Sequence, residues 1–308
     1  LTIDRLGLNG YEYSDITADG YFNSETFEGK AVSNDPNLSF FINTMKYQQD
    51  STDYYNLTTD IARADLNAIN IDQRGRSEVS FTSDMGFTVS KDKKINGLGE
   101  IKGILLENED GIYNVGDITL TSVQDESKYD LSLICSFAEA SYSGTASPKY
   151  FINDFIGLTL KKELPAIFKD TAYVWNGDSY KVNLLCHDMM DVLAYAMPGL
   201  YIESETSIMT EINDKGEFSA NLNSGRIAFK KQYFKGLNAQ FDNLQNELTG
   251  GITCDEIQIS TVRFNESRLG IFAQDNHIGA GFAYNNDAEL ENHGQLVVHS
   301  KLNRDNNG

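Results

Sequence analysis

Thr17-Ala18-Asp19-Gly20-Tyr21-Phe22-Asn23, Phe27-Glu28-Gly29-Lys30-Ala31-Val32 and Asp35-Pro36-Asn37-Leu38-Ser39-Phe40-Phe41-Ile42 follow one another near the start of the chain. Apolar or small residues alternate with polar ones in each piece: Ala18, Gly20, Phe22; Phe27, Gly29, Ala31; Leu38, Phe40, Ile42. Successive strand side chains point to opposite faces, so this alternation predicts strands with one apolar face. A loose second copy runs from Leu237 to Ile259, with Phe241 set on Phe22, Leu248 on Phe27, Gly250 on Gly29 and Asp255 on Asp35. One sheet module is thus expected at both ends of the chain.

The composition agrees with many short strands joined by polar turns: 4 Pro against 25 Gly, 16 Tyr and 17 Phe. A chain of 308 residues can bury a large core. Lys and Arg number 25 and Asp and Glu 45, a net charge of −20, which argues against nucleic acid or anionic headgroups as the main partner. Cys135, Cys186 and Cys254 are an odd number without close spacing, so they read as buried small residues, not as a disulfide framework or zinc knuckle. No apolar run approaches the ~18 residues of a membrane span. The opening at Leu1, already strand-like, suggests a soluble piece of a longer protein whose anchor lies elsewhere.

Strand patterns continue from Leu1 to Ser143, with turn signals at Asn9-Gly10, Asp19-Gly20, Asn96-Gly97 and Asp110-Gly111, and a solvated hairpin tip at Lys91, Lys93 and Lys94. At Ser147-Pro148 the period changes. Ser147 suits an N-cap, Pro148 the first helical position, and Phe151, Ile152, Phe155, Ile156 and Leu160 recur at helical spacing before Pro165. After a connector holding Trp175, a second amphipathic helix is expected from Lys181 to Ala196, with Leu185, Met189, Val192, Leu193 and Ala196 on one face, stopped by Pro198-Gly199. Strands then resume through Leu302, Asp214-Lys215-Gly216 being a hairpin turn, and the tail Asn303–Gly308 is too polar to order itself. The expected organisation is a first β segment over 1–146, a helical insert over 147–200 and a second β segment over 201–308.

Nothing in the sequence recommends catalysis. His187, His277, His293 and His299 are scattered, and His187, expected on the second helix, has no metal-ligand spacing around it. Gly97-Leu98-Gly99 leads into another strand, so it lacks the helix N-terminus a dinucleotide turn needs. Glu203 and Glu205, expected to share a strand face, are one pair among many acids. The expectation is a protein that is not an enzyme, with no cofactor and no metal. What stands out is an excess of apolar strand face, which needs a second sheet, the helices or a ligand to cover it. A groove left open along such a sheet suits acyl chains.

The run Asp19-Gly20-Tyr21-Phe22, Phe27-Glu28-Gly29, Asp35-Pro36-Asn37-Leu38-Ser39-Phe40, Asp60-Ile61-Ala62-Arg63-Ala64-Asp65-Leu66 and Val79-Ser80-Phe81 resembles the periplasmic region of TamB-like (AsmA-like, translocation and assembly module) proteins of the Bacteroidetes type. The resemblance is best over Leu1–Tyr142 and softer from Leu200 onward. It implies a long curled antiparallel β-sheet with a hydrophobic inner face, a β-taco, reaching through the periplasm from an inner-membrane anchor outside this chain. It also implies phospholipid or another acyl-chain lipid as ligand, and an outer-membrane assembly barrel protein as partner. The helical insert and the lack of a recognisable barrel-docking end depart from the family's pattern.

The expected groove residues are Phe22, Phe27, Phe40 and Ile42 in the first half, and Ile208, Phe218, Leu222, Phe241, Ile252, Ile259 and Phe282 in the second. Acyl chains would lie against them, with headgroups at an open acidic rim. Two rival readings are a closed β scaffold or adhesion module that binds a protein by edge pairing, and a carbohydrate-active enzyme using Tyr, Trp175 and a carboxylate pair.

Overall fold

The computed structural model describes residues 1–168, 173–286 and 292–302. The fold is mainly β: an open antiparallel sheet interrupted by short helices, as the alternation predicts. The tail expected to be unstructured, Asn303–Gly308, lies outside the described residues. The chain divides into two compact units. The first comprises Leu1–Glu126, Leu131–Phe137 and Asp191–Pro198, and the second the other described residues.

In the first unit β1 (Thr2–Leu8), β2 (Tyr11–Phe22), β3 (Thr26–Asp35), β4 (Leu38–Gln49), β5 (Thr52–Asp65), β6 (Ser77–Val89), β7 (Ile95–Asn108) and β8 (Ile112–Gln124) pair each with the next, all antiparallel. The β1–β2 turn is Asn9-Gly10, both residues at positive φ (53° and 77°), whose twist suits a two-residue hairpin. Asp110-Gly111 also turns the chain, and Lys91 and Lys93 are exposed at the β6–β7 tip. Asp19-Gly20 and Asn96-Gly97 do not turn; they lie inside β2 and β7. A Cβ at Gly20 would stand 2.7 Å from the Glu28 carbonyl, and one at Gly97 would collide with the Gly86 carbonyl. These glycines therefore permit close strand approach.

Asp35, 2% exposed, fastens the β3–β4 turn. Its carboxylate accepts from the Ser14 N–H (2.8 Å), the Asn37 N–H (2.9 Å), the Tyr11 hydroxyl (2.9 Å) and the Ser14 hydroxyl (3.0 Å). Burial alone would raise its pKa, but these donors together hold it below the ordinary carboxylate value.

β9 (Tyr129–Cys135) leads to β10 (Ala138–Gly144). The predicted first helix is present as a 3-10 turn over Pro148–Tyr150, then α1 (Phe151–Ile156) and a wider π turn over Gly157–Lys161. Ser147 precedes it without a side-chain capping bond.

The second predicted helix is largely corrected. Tyr180–Cys186 is a strand, β11, paired with β10 on one side, and only Met190–Ala196 is helical, as α2. Val182, Leu184 and Cys186 alternate with Lys181, Asn183 and Leu185, and two free strand edges satisfied the backbone better than an isolated helix could. His187 accordingly sits in the loop after β11, not on a helix, with Glu139 at 3.3 Å and Glu205 at 3.6 Å. The predicted insert is thus split: α1 belongs to the second unit and Asp191–Pro198 to the first.

The second unit continues with β12 (Leu200–Ile202), β13 (Thr206–Ile212), β14 (Phe218–Phe229), β15 (Gln232–Asp242), β16 (Leu248–Ile259), β17 (Val262–Gln274), β18 (His277–Asn286) and β19 (Asn292–Lys301). β11 pairs with β13, β13 with β14, and each strand from β14 with the next. β12 extends the line of β13 along β14. Glu203 and Glu205 fall in the connector between β12 and β13, so they share no strand face. Asp214-Lys215-Gly216 turns β13 into β14 as expected. The two proposed module copies are both hairpins, but Phe22 opposes Phe27 whereas Phe241 opposes Gly250, not Leu248. Asp255 lies exposed within β16, unlike the buried turn residue Asp35.

Candidate acyl-chain face

Directly opposed residues of an antiparallel ladder point to the same side, so the register of the second unit defines rows that cross it. One row reads Leu184, Ile208, Leu222, Ala239, Ile252, Leu269, Phe282, Leu296 over eight strands, every member apolar. Four of the predicted groove residues, Ile208, Leu222, Ile252 and Phe282, stand in it. The next row on the same face is Val182, Thr210, Ala220, Phe241, Gly250, Ile271, Ala280, Val298. A Cβ on Gly250 would collide with the Phe241 ring, so this ring lies down across its neighbour and keeps the face low.

Apart from the buried Ala239 and Thr210, these rows are left at least partly uncovered. Leu222, Phe241, Ile252, Leu269 and Phe282 are half-buried, and Leu296 is 63% exposed. At about 4.8 Å between strands, eight strands span roughly 34 Å, longer than the ~15 Å hydrocarbon thickness of one leaflet.

The face is closed at one end. Phe218, another predicted groove residue, is 1% exposed and stands in a row with Tyr180 and Ile212, all covered by the helical segment. Phe151 meets the Tyr180 ring at 5.8 Å, Phe155 meets Phe218 at 5.4 Å, and Trp175 meets Tyr180 at 6.1 Å. The Trp175 indole N–H donates to the Asp214 carbonyl at 2.9 Å. Asp154 of α1, buried at 6% exposure, accepts from the hydroxyls of Tyr180 and Tyr173, the latter at 2.9 Å. Burial, then the bond to Asp154, raises the pKa of both phenols. The segment is also tied to the β17–β18 turn: the Asn276 N–H donates to the Glu163 carbonyl (2.8 Å), and the Ala166 N–H donates to Asn276 Oδ1 (2.6 Å). Phe218 is therefore the seat of this plug and not an open groove position.

At the other end the rows thin to small residues. Cys186, Thr206, Ser224, Cys254 and Ser267 are each at most 6% exposed. Burial pushes the Cys254 thiol up to about 11. Beyond them the backbone is irregular, with positive φ at Gly236 (60°) and Glu266 (44°). Simple alternation would now send the odd-numbered residues of β16 to the opposite face. Instead the Phe264 ring lies 5.6 Å from Phe282 and 4.9 Å from Tyr284, so Phe264 and its ladder partners Ile257, Phe234 and Ile227 rejoin the apolar face. Ile259, two residues past Ile257, follows them and is 50% exposed at the strand end opposite Val262. Alternation alone could not reveal that inversion; Gly236 was its one visible sign.

The first unit carries the same kind of face. Phe22, Phe27, Phe40 and Ile42 lie on one side, together with Ile61, Leu57, Met85 and Ile118. Phe22 is 78% and Phe27 39% exposed, whereas Phe40 and Ile42 are half-buried. The opposite side holds Asp19, Lys30, Asn43, Asp60, Asp84 and Glu100. α2 covers the bulged end of this unit: Tyr195 meets the Tyr113 ring at 6.1 Å and bonds the Ser77 hydroxyl, while Arg74 donates to the Ala196 carbonyl at 3.0 Å. Sequence reading missed this docking, since nothing around Arg74 or Ser77 marks them as helix receivers.

Among the described residues no group of three or more His, Cys, Asp and Glu is placed to hold a metal ion, and no helix is long and apolar enough to cross a membrane. No known protein family, curated protein or solved structure matches the chain.

Proposed function

We propose that this chain is a segment of an envelope-spanning protein that shields or conducts phospholipid acyl chains along its apolar strand faces. The single observation that carries this reading is the eight-strand row from Leu184 to Leu296, apolar at every position and, apart from the buried Ala239, left at least partly uncovered. An acyl chain laid on it removes apolar surface from water on both sides, at about 0.8 kcal/mol per buried CH₂. The plug of α1 and Trp175 stops the face at the Phe218 end, so chains enter from the β14–β17 end or over the β19 edge. The resemblance to TamB-like proteins supports a periplasmic setting, an inner-membrane anchor beyond this chain and an outer-membrane assembly barrel as neighbour.

Native mass spectrometry of the chain purified from an envelope-bearing host, followed by lipid extraction, tests the reading. The expected result is co-purified phospholipid that is lost in Phe241→Asp and Ile252→Asp while the circular dichroism spectrum stays that of a β protein. A folded, lipid-free wild-type chain that ignores added phospholipid would overturn it and favour the scaffold reading.

A further inference from the structure

The two strand-end regions of the second unit differ in charge and polarity. Near the plug, the β13–β14, β15–β16 and β17–β18 turns bring together Asp214, Glu217, Asp242, Glu247 and Asp275. At the opposite end, the β14–β15 hairpin reads Arg226-Ile227-Ala228-Phe229-Lys230-Lys231-Gln232-Tyr233-Phe234-Lys235, which holds four cations and no acid in a chain of net charge −20. Lys230 and Lys231 form the turn, and both are exposed. Among the described residues neither they nor Arg226 and Lys235 make an ion pair; Arg226 lies over the Tyr233 ring at 4.7 Å and Lys230 over Phe229 at 5.3 Å. Acids of the adjoining elements also reach this hairpin: the Glu203 carboxylate lies against Gly225, next to Arg226, and that of Asp255 against Gly236, next to Lys235. Glu256 is already engaged by Arg263 at 2.9 Å and by the Tyr233 hydroxyl, so Lys230 and Lys231 at the turn are the cations farthest from these acids.

The same tip exposes large apolar side chains: Tyr201 45%, Phe229 45%, Phe234 39%, Ile259 50% and Val262 51%. Cations beside exposed aromatic and aliphatic residues match a bilayer interface, where the ammonium and guanidinium groups meet phosphates and the rings settle at headgroup depth. We propose that the β14–β15 and β16–β17 tips dock this chain onto an anionic phospholipid surface, Phe229 and Ile259 entering the interface and Lys230, Lys231, Arg226 and Lys235 pairing with headgroup phosphates. Docking there sets the unplugged end of the apolar rows against the membrane. The inference goes beyond the acyl-chain reading and stands or falls separately from it.

The test is sedimentation of the full chain with vesicles of equal parts phosphatidylcholine and phosphatidylglycerol, beside vesicles of phosphatidylcholine alone. Binding is expected only to the anionic vesicles and should weaken as salt shortens the screening length to ~10 Å near 0.1 M. Each surface cation contributes roughly five-fold to such partitioning, so Lys230→Gln with Lys231→Gln should lose about twenty-five-fold. Phe229→Ser should lose about tenfold. Lys215→Gln, at the plugged end, should change nothing, and all variants should keep the wild-type melting temperature. Failure of the wild type to bind, or binding untouched by the double substitution, would overturn the proposal. So would capture of single-stranded DNA by the tip without vesicle binding. Vesicle binding by a chain that carries no lipid would support the docking tip while counting against the acyl-chain reading. Co-purified lipid without vesicle binding would overturn the tip alone.

Discussion

Two carboxyl groups show how residue environments set pH response in opposite directions. Asp35 is held below its ordinary pKa, so its contribution is present above the unfolded value near 3.8 and is lost as pH falls through the folded value. Asp35→Asn should therefore destabilise the chain at neutral pH by about 1–3 kcal/mol and remove part of the acid limb of a pH–stability profile. Glu163 is 3% exposed, and burial, the largest cause, raises its pKa despite Lys162 at 3.6 Å. One of its carboxyl oxygens has no hydrogen-bond partner among the described residues. A raised pKa means that stability is fully present below the unfolded value near 4.5 and declines as pH climbs through the folded one. Glu163→Gln is expected to raise the melting temperature at pH 7 and flatten that decline; an unchanged profile in thermal melts would contradict the assignment.

At the scale of elements, the two short helices are held by sites that their own sequences do not advertise. α1, of six residues, could not persist alone in water. Its place depends on Phe155 against Phe218 and on Asp154 between two tyrosine hydroxyls. Asp154→Ala should cost about 2–4 kcal/mol, because it removes hydrogen bonds to a charged group and leaves two phenols without their acceptor. Hydrogen exchange should show that loss first in Phe151–Lys161. For α2, Tyr195→Phe removes the bond to Ser77 and should cost about 1 kcal/mol, read from protection of Asp191–Ala196.

The whole molecule combines a strongly acidic surface with partly uncovered apolar faces. Self-repulsion at a net charge of −20 opposes the compact state and is screened by salt. Raising ionic strength should accordingly raise the melting temperature even as it weakens binding to anionic vesicles. Scanning calorimetry at low and physiological salt checks the first effect. A melting temperature that falls with salt would show that attractive pairs, such as Arg63 with Glu78 at 2.7 Å, outweigh the net repulsion.

The antiparallel strands, their one-sided apolar character, the helix beginning at Pro148 and the burial of all three cysteines were legible in the sequence, because period-two alternation, proline placement and composition are local signals. Ile208, Leu222, Ile252 and Phe282 could each be picked as inward-facing, but their alignment in one row depends on register, which non-local pairing decides. Only tertiary structure turned Tyr180–Cys186 into a strand, by supplying partners on both edges. It also placed Phe218 beneath a plug and inverted the strand faces beyond Gly236 so that Phe264 meets Phe282. The physical reason is the same in each case: backbone hydrogen bonds and side-chain burial are satisfied by residues far away in the chain, and local propensity yields to them.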